Sequence, residues 1–146
     1  MLNQKKILLV EDNPDDVELT LRAFRKNDFL NEIIVKCDGE NALDYFFGKD
    51  GIAGDACLPS LILLDLKLPK INGFEVLKRL RSDDRTKLIP VVILTSSGEQ
   101  SDLITGYNLG CNSYIRKPLR FNEFVDAVKQ LGAYWLRMNE VPCSLN

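Results

Sequence analysis

The 146-residue chain reads as one α/β domain, a five-stranded parallel sheet in the order 2-1-3-4-5 with helices on both faces. Three observations carry that expectation. Short apolar runs recur five times, at Lys6–Val10, Glu32–Val35, Leu61–Leu64, Val91–Leu94 and Ser113–Ile115. Four of them are rich in Ile, Leu or Val and continuous rather than alternating, as expected of strands covered on both sides. Between the runs, apolar residues fall at helical spacing. Each parallel strand then needs a helix to bring the chain back, and right-handed crossovers leave few strand orders to choose from.

The first strand ends at Glu11-Asp12. A helix follows, because Asp12 or Asn13 offers a cap, Pro14 suits a first-turn position whose N–H is unpaired anyway, and Val17, Thr20, Leu21 and Phe24 form an i, i+3, i+4, i+7 stripe. The second strand leads to a second helix and then to Gly48–Pro59, a Gly-rich polar loop expected to be a solvated insertion. The third strand runs into Asp65, and Phe74, Leu77 and Leu80 mark the helix behind it. The fourth ends in Thr95-Ser96 and the fifth in Arg116-Lys117-Pro118. The last helix carries Phe121, Phe124, Val125 and Val128 on one face, with Asn122 as its expected cap. Continuing that helix puts Leu131, Tyr134, Trp135 and Met138 along one further apolar face. Residues 1–146 are therefore expected to form a single unit, with a core over about 5–131 and a C-terminal helical extension over about 132–146.

Composition excludes several functions. With 19 basic and 21 acidic residues, the formal charge of −2 supplies no positive field for nucleic acid or an anionic membrane. No apolar run approaches bilayer length, and the first six residues have no apolar stretch behind their lysines, so no signal peptide is read and a cytoplasmic location is expected. Histidine is absent, which removes Ser-His-Asp and Cys-His hydrolases, His-ligated zinc and a phosphohistidine on this chain. The four cysteines, Cys37, Cys57, Cys111 and Cys143, show no Cys-x-x-Cys spacing and are read as reduced, packed thiols. Neither G-x-G-x-x-G nor G-x-x-x-x-G-K-[ST] occurs, so dinucleotide and P-loop chemistry lack their glycine cradle.

In an open parallel sheet, chemistry collects at the carboxyl ends of the strands. There the sequence places Glu11, Asp12 and Asp65, the hydroxyls of Thr95 and Ser96, and Lys117. Three clustered carboxylates repel one another unless a cation intervenes, and a hard divalent ion such as Mg²⁺ answers that need with oxygen ligands. A metal, a lysine and hydroxyl donors around one carboxylate make a pocket suited to a phosphoryl group.

The pieces Leu9-Val10-Glu11-Asp12-Asn13, Leu64-Asp65-Leu66-Lys67-Leu68-Pro69, Leu94-Thr95-Ser96 and Tyr114-Ile115-Arg116-Lys117-Pro118 resemble those of the response-regulator receiver domains of two-component signalling. The resemblance spans about Lys5 to Leu131. It implies that Asp65 accepts a phosphoryl group from a sensor histidine kinase. It further implies that Asp12, Asp65 and the backbone carbonyl of Lys67 ligate Mg²⁺, with Glu11 acting through the metal's water. Lys117 and Thr95 would pair with phosphoryl oxygens, and Tyr114 would be the switch aromatic. Glu11 departs from the commoner Asp, and Cys111-Asn112 stands where a small Ala is frequent. The tail, Leu131 to Leu136, together with the long loop before the third strand, is similar to the cyanobacterial phytochrome response regulators. That likeness implies a stand-alone receiver that works with a phytochrome kinase and forms a homodimer through the helix 4–strand 5–helix 5 face.

Two other functions fit parts of the pattern. An aspartate-nucleophile phosphatase would need an acid/base Asp two residues past the nucleophile, where this chain has Lys67. A phosphorylation-dead pseudo-receiver would need a damaged site, and every expected side chain is present. The expected protein is thus a phosphoacceptor rather than an enzyme acting on other substrates.

Overall fold

The computed structural model describes residues 5–48 and 58–142. Strands β1 (Ile7–Val10), β2 (Ile33–Lys36), β3 (Leu61–Leu64), β4 (Val91–Thr95) and β5 (Ser113–Arg116) alternate with helices α1 (Pro14–Lys26), α2 (Gly39–Phe47), α3 (Gly73–Arg81), α4 (Gln100–Asn108) and α5 (Phe121–Gly132). The strands lie in the order β2-β1-β3-β4-β5, all pairs parallel, as expected.

Every residue of β1, β3 and β4 is buried, because successive side chains enter opposite cores. Leu8, Val10, Ile62, Leu64, Val91 and Ile93 face α2 and α3, packing with Phe46, Val76, Leu77 and Leu80. Ile7, Leu9, Leu61, Leu63, Val92 and Leu94 face α1 and α5, packing with Phe24, Phe124 and Val128. The continuous apolar runs thus reflect two filled layers. β2 and β5 are edge strands, and their residues are only half-buried or exposed.

Side-chain caps start three helices. Asn13, rather than Asp12, accepts from the Asp15 and Asp16 amides, Asp38 from Asn41, and Asn72 from Glu75. The expected cap of the last helix is corrected: α5 begins at Phe121 behind Arg120 without a side-chain cap, and Asn122 lies inside its first turn. The chain then continues as a π-helical stretch, Ala133–Met138, instead of extending the α-helix. Gly132 lies so close to the Phe29 ring that a Cβ would overlap it, and Arg137 of the tail stacks over the same ring. The residues expected to share one apolar face are separated: Leu131 is buried, Trp135 packs against the α1/α5 core, and Tyr134 and Met138 stay exposed, while Leu136, outside that set, is buried too. Lys5 then binds the Asn139 carbonyl at 2.8 Å, and Val141 packs against the opposite core. Of the long loop, residues 49–57 lie outside the described residues, as do Cys57 and Cys143. Cys111 is buried, Cys37 is exposed, and both are free thiols.

Arg81, the last residue of α3, ties two loops together, the one before β4 and the one before β5. Its guanidinium donates to the carbonyls of Gly110 (2.9 Å), Lys87 (3.0 Å) and Ile89 (2.8 Å) and to Asn112 Oδ1 (2.8 Å). Asn112 Oδ1 also accepts from the Val91 amide at 2.8 Å, while its own amide donates to the Val91 carbonyl. Asn112 therefore extends the β4–β5 ladder by one rung with its side chain. That is what the residue at this unusual position does.

Candidate functional site

The carboxyl ends of β1, β3, β4 and β5 meet at one edge of the sheet. β1 delivers Glu11, which is buried, and Asp12, which is exposed; β3 delivers buried Asp65. One carboxylate oxygen from each of the three lies within 4.8 Å of the others. Asp65 Oδ1 accepts from the Leu66 amide at 2.7 Å and from the Lys67 amide at 3.5 Å. Its other oxygen, Oδ2, lies 3.6 Å from Lys117 Nζ. The carboxylate is therefore oriented, with one oxygen held by its own loop and one aimed at the lysine.

The loop behind Asp65 is pinned from below. The Gly73 amide donates to the Leu66 carbonyl at 3.0 Å. A Cβ on Gly73 would run into the Asp65 carbonyl and Leu66 Cα, so only glycine lets α3 start this close to Asp65.

Lys117 reaches the site from the end of β5, where its amide donates to the Thr95 carbonyl at 2.7 Å. Its ammonium hydrogen-bonds Glu11 at short range and Asp16 Oδ2 at 3.1 Å. Burial alone works to lower the Lys117 pKa. The Glu11 hydrogen bond and the charges of Asp65 and Glu11 outweigh burial, so the ammonium is held above its ordinary value. Burial instead pushes Glu11 up, to about 7; the neighbouring Asp65 charge adds to this, and the Lys117 hydrogen bond only partly opposes it.

The expected residues are thus brought together in part. Glu11, Asp12, Asp65 and Lys117 form one cluster. Thr95 is buried at the end of β4, where its hydroxyl oxygen accepts from the Ser97 amide at 3.4 Å, and Ser96 is exposed. Tyr114, on β5, donates to the Ser97 carbonyl at 2.9 Å. Ser97 donates its own hydroxyl to Asp102 on α4 at 2.5 Å. One residue between Thr95 and α4 therefore touches both Thr95 and Tyr114. The sequence reading missed this junction, and it missed Asp16.

Residues 7–129 of the chain match the model of the response regulator receiver domain. The chain belongs to that family. This receiver is 43% identical to the probable methanogenesis regulatory protein FilR2 of Methanothrix harundinacea, over 93% of this chain and 86% of FilR2. It is 35% identical to the response regulator Rcp1 of Synechocystis, over 96% of this chain and 95% of Rcp1. The Mn²⁺-bound crystal structure of Rcp1 superposes with a TM-score of 0.83 at 33% identity, covering 95% of this chain and 99% of that one. The phosphorylated cyanobacterial phytochrome response regulator RcpA superposes with a TM-score of 0.86 at 36% identity, covering 96% and 99%. No helix among the described residues of the receiver is long and apolar enough to cross a membrane.

The donor set of the receiver suits a hard divalent cation: three carboxylates, no sulfur or imidazole, and one acid driven towards its neutral form by burial and a like charge. The Glu11 shift has a measurable consequence. Binding a cation that needs Glu11 ionised must expel whatever proton it holds. Protons are therefore released on binding, and apparent affinity for Mg²⁺, the ion proposed for this donor set, should rise with pH through the neutral range. Calorimetric titrations in two buffers of different ionisation enthalpy measure the proton directly. Glu11→Gln should flatten the profile, and a pH-independent affinity in the unaltered protein overturns the expectation. In the metal-free protein the same raised pKa favours folding with Glu11 protonated. That contribution is full below pH 4.5 and is lost as pH rises through about 7.

Proposed function

We propose that this receiver is a cytoplasmic response regulator that takes a phosphoryl group onto Asp65 from the phosphohistidine of a sensor histidine kinase. The orientation of Asp65 carries the reading: Oδ1 is held by two loop amides, and Oδ2 faces Lys117 beside Glu11 and Asp12. Oδ2 forms the new O–P bond as the N–P bond of the phosphoimidazole breaks, and the departing electron pair stays on the imidazole nitrogen, which takes up a proton. Asp12, Asp65 and the Lys67 carbonyl would hold Mg²⁺, with Glu11 acting through its water. When bound, the ion supplies positive charge against the phosphoryl oxygens. Lys117 supplies a second positive charge from the protein, and Thr95 a hydroxyl donor. Leu119 is fully exposed beside Lys117 and gives an incoming kinase an apolar foothold.

The product is a signal and not a released molecule. A phosphoryl group that draws Thr95 inward acts on Ser97, and through Ser97 on Tyr114 and α4. Ile104 and Tyr107 on α4 and Tyr134 on the tail are exposed large apolar side chains. They support a homodimer through the α4–β5–α5 face, strengthened by phosphorylation. The likeness to Rcp1 and RcpA favours a phytochrome-class kinase, whereas the likeness to FilR2 favours a different input.

One experiment tests both levels. The purified protein is offered phosphorylated kinases of both classes with Mg²⁺, then sedimented with and without the phosphoryl group. Rapid transfer from the phytochrome-class kinase, and a dimer constant at least tenfold tighter when phosphorylated, are expected. Tyr107→Ala/Tyr134→Ala, which removes two exposed rings, the second in edge contact with Trp135, should abolish the tightening. A monomer at tens of micromolar in the phosphorylated state removes the dimer. Transfer only from the other kinase removes the phytochrome link.

A further inference from the structure

The three carboxylates around Lys117 are not equivalent. Glu11 and Asp65 belong to the acidic cluster at the strand ends, and Asp16 does not. Asp16 projects from the first turn of α1, a rigid support: its amide is bound by the Asn13 cap at 3.1 Å, and its carbonyl accepts from the buried Thr20 hydroxyl at 2.7 Å. From there Oδ2 accepts from Lys117 Nζ at 3.1 Å while the same ammonium stays within 3.6 Å of Asp65 Oδ2. The lysine side chain is only 12% exposed, so these contacts fix where its charge sits.

We infer that Asp16 is a positioning residue for phosphoryl transfer, holding the Lys117 ammonium over Asp65 when the Glu11 contact is drawn away. The inference rests on Asp65 being the acceptor and adds a residue to that chemistry. Glu11 cannot serve a cation and keep its full hold on Lys117, because its carboxylate lies in the cluster that a cation would occupy. A four-carbon side chain released on one side gains many rotamers, and transfer pays for each ammonium position that does not face the phosphoryl oxygens. Asp16 keeps the search short without touching the acceptor or the metal ligands.

Simple electrostatics predicts the opposite sign. An anion near the path of an anionic donor repels it, so deleting Asp16 for charge reasons alone should speed labelling. Positioning predicts that deletion slows it. The test uses the whole chain, with acetyl phosphate as donor and saturating Mg²⁺, and follows the initial rate of Asp65 labelling by intact mass. Asp16→Ala should lower the maximal rate about five- to tenfold while changing Mg²⁺ affinity less than about threefold. Asp16→Asn keeps an oxygen acceptor without the charge and should restore the rate to within about twofold of the unaltered protein. The Lys117 side-chain resonance should sharpen to one position in the unaltered and Asn proteins and broaden in the Ala variant. An Ala variant that labels at the original rate or faster overturns the inference, and so does an Asn variant as slow as Ala. If the unaltered protein takes no phosphoryl group at Asp65, the acceptor reading fails first and this inference falls with it.

Discussion

Asp65→Asn is expected to reduce phosphoryl labelling to background, a loss of at least about a thousandfold, because it removes the proposed nucleophile and a proposed metal ligand in one change. The variant should fold well. Asn Oδ1 can keep the acceptor role towards the Leu66 and Lys67 amides. Replacing a charged neighbour of Glu11 by a neutral amide also removes one of the causes that raise the Glu11 pKa. Thermal stability at neutral pH should therefore hold or rise, which separates lost chemistry from lost structure. The readout is intact mass after acetyl phosphate and Mg²⁺: a single phosphoryl adduct, stable in acid and released by base, in the unaltered protein only. EDTA should suppress the adduct. A full adduct on the Asn variant places the acceptor elsewhere in the cluster and overturns the assignment.

Arg81→Ala is expected to cost about 3 kcal/mol of folding stability. Four acceptors lose a charge-assisted donor at once: the carbonyls of Gly110, Lys87 and Ile89, and Asn112 Oδ1. Two of those bonds are exposed, where water can replace the guanidinium, so the main loss comes from the half-buried Gly110 and Ile89 carbonyls. Burial also lowers the Arg81 pKa, a sign that its charge sits in poorly solvated surroundings. A drop of that size in a chain of this length corresponds to roughly 10 °C in Tm. Arg81→Lys keeps the charge but cannot fork to several acceptors, and should recover less than half of the loss. Urea unfolding monitored by Trp135 fluorescence measures both variants. An unfolding free energy for Arg81→Ala within about 0.5 kcal/mol of the unaltered protein would show that water fully substitutes for the clamp.

The sheet was legible because its cause is local and repeated. Apolar runs four or five residues long have one stable use when helices cover both faces, and the two-layer split of Ile7 and Leu9 against Leu8 and Val10 follows from the pleat. The cluster of Glu11, Asp12, Asp65 and Lys117 was legible for a related reason, since parallel strands put all their carboxyl ends on one edge. Other features depend on partners far away in the chain. Nothing near Arg81 announces acceptors at positions 87, 89, 110 and 112, and nothing near Asp16 announces a lysine 101 residues later. Asn122 looked like a cap by residue type, yet the turn after Pro118 starts the helix two residues earlier, behind an arginine. Gly132, where the α-helix gives way to the π-helical turn, packs against the Phe29 ring from another loop, a contact that helical periodicity cannot register.

α4 is held to the rest of the molecule differently from its neighbours. α3 buries Val76, Leu77 and Leu80 together with Gly73, whereas α4 buries Gly106 alone and begins without a side-chain cap. Where it bears on the sheet it offers bare backbone: a Cβ on Gly106 would meet the end of Ile93 and the edge of the Tyr114 ring. Shifting α3 means opening a packed core. Shifting α4 means sliding a smooth surface and exchanging one polar tether, Ser97 to Asp102. Carrying a two-position element from 1:99 to 99:1 takes about 5.5 kcal/mol of differential binding. That is within the means of one newly added phosphoryl group only when little apolar contact must be broken. The phosphoryl group proposed for Asp65 would thus add its charge beside the helix that the least apolar contact holds in place.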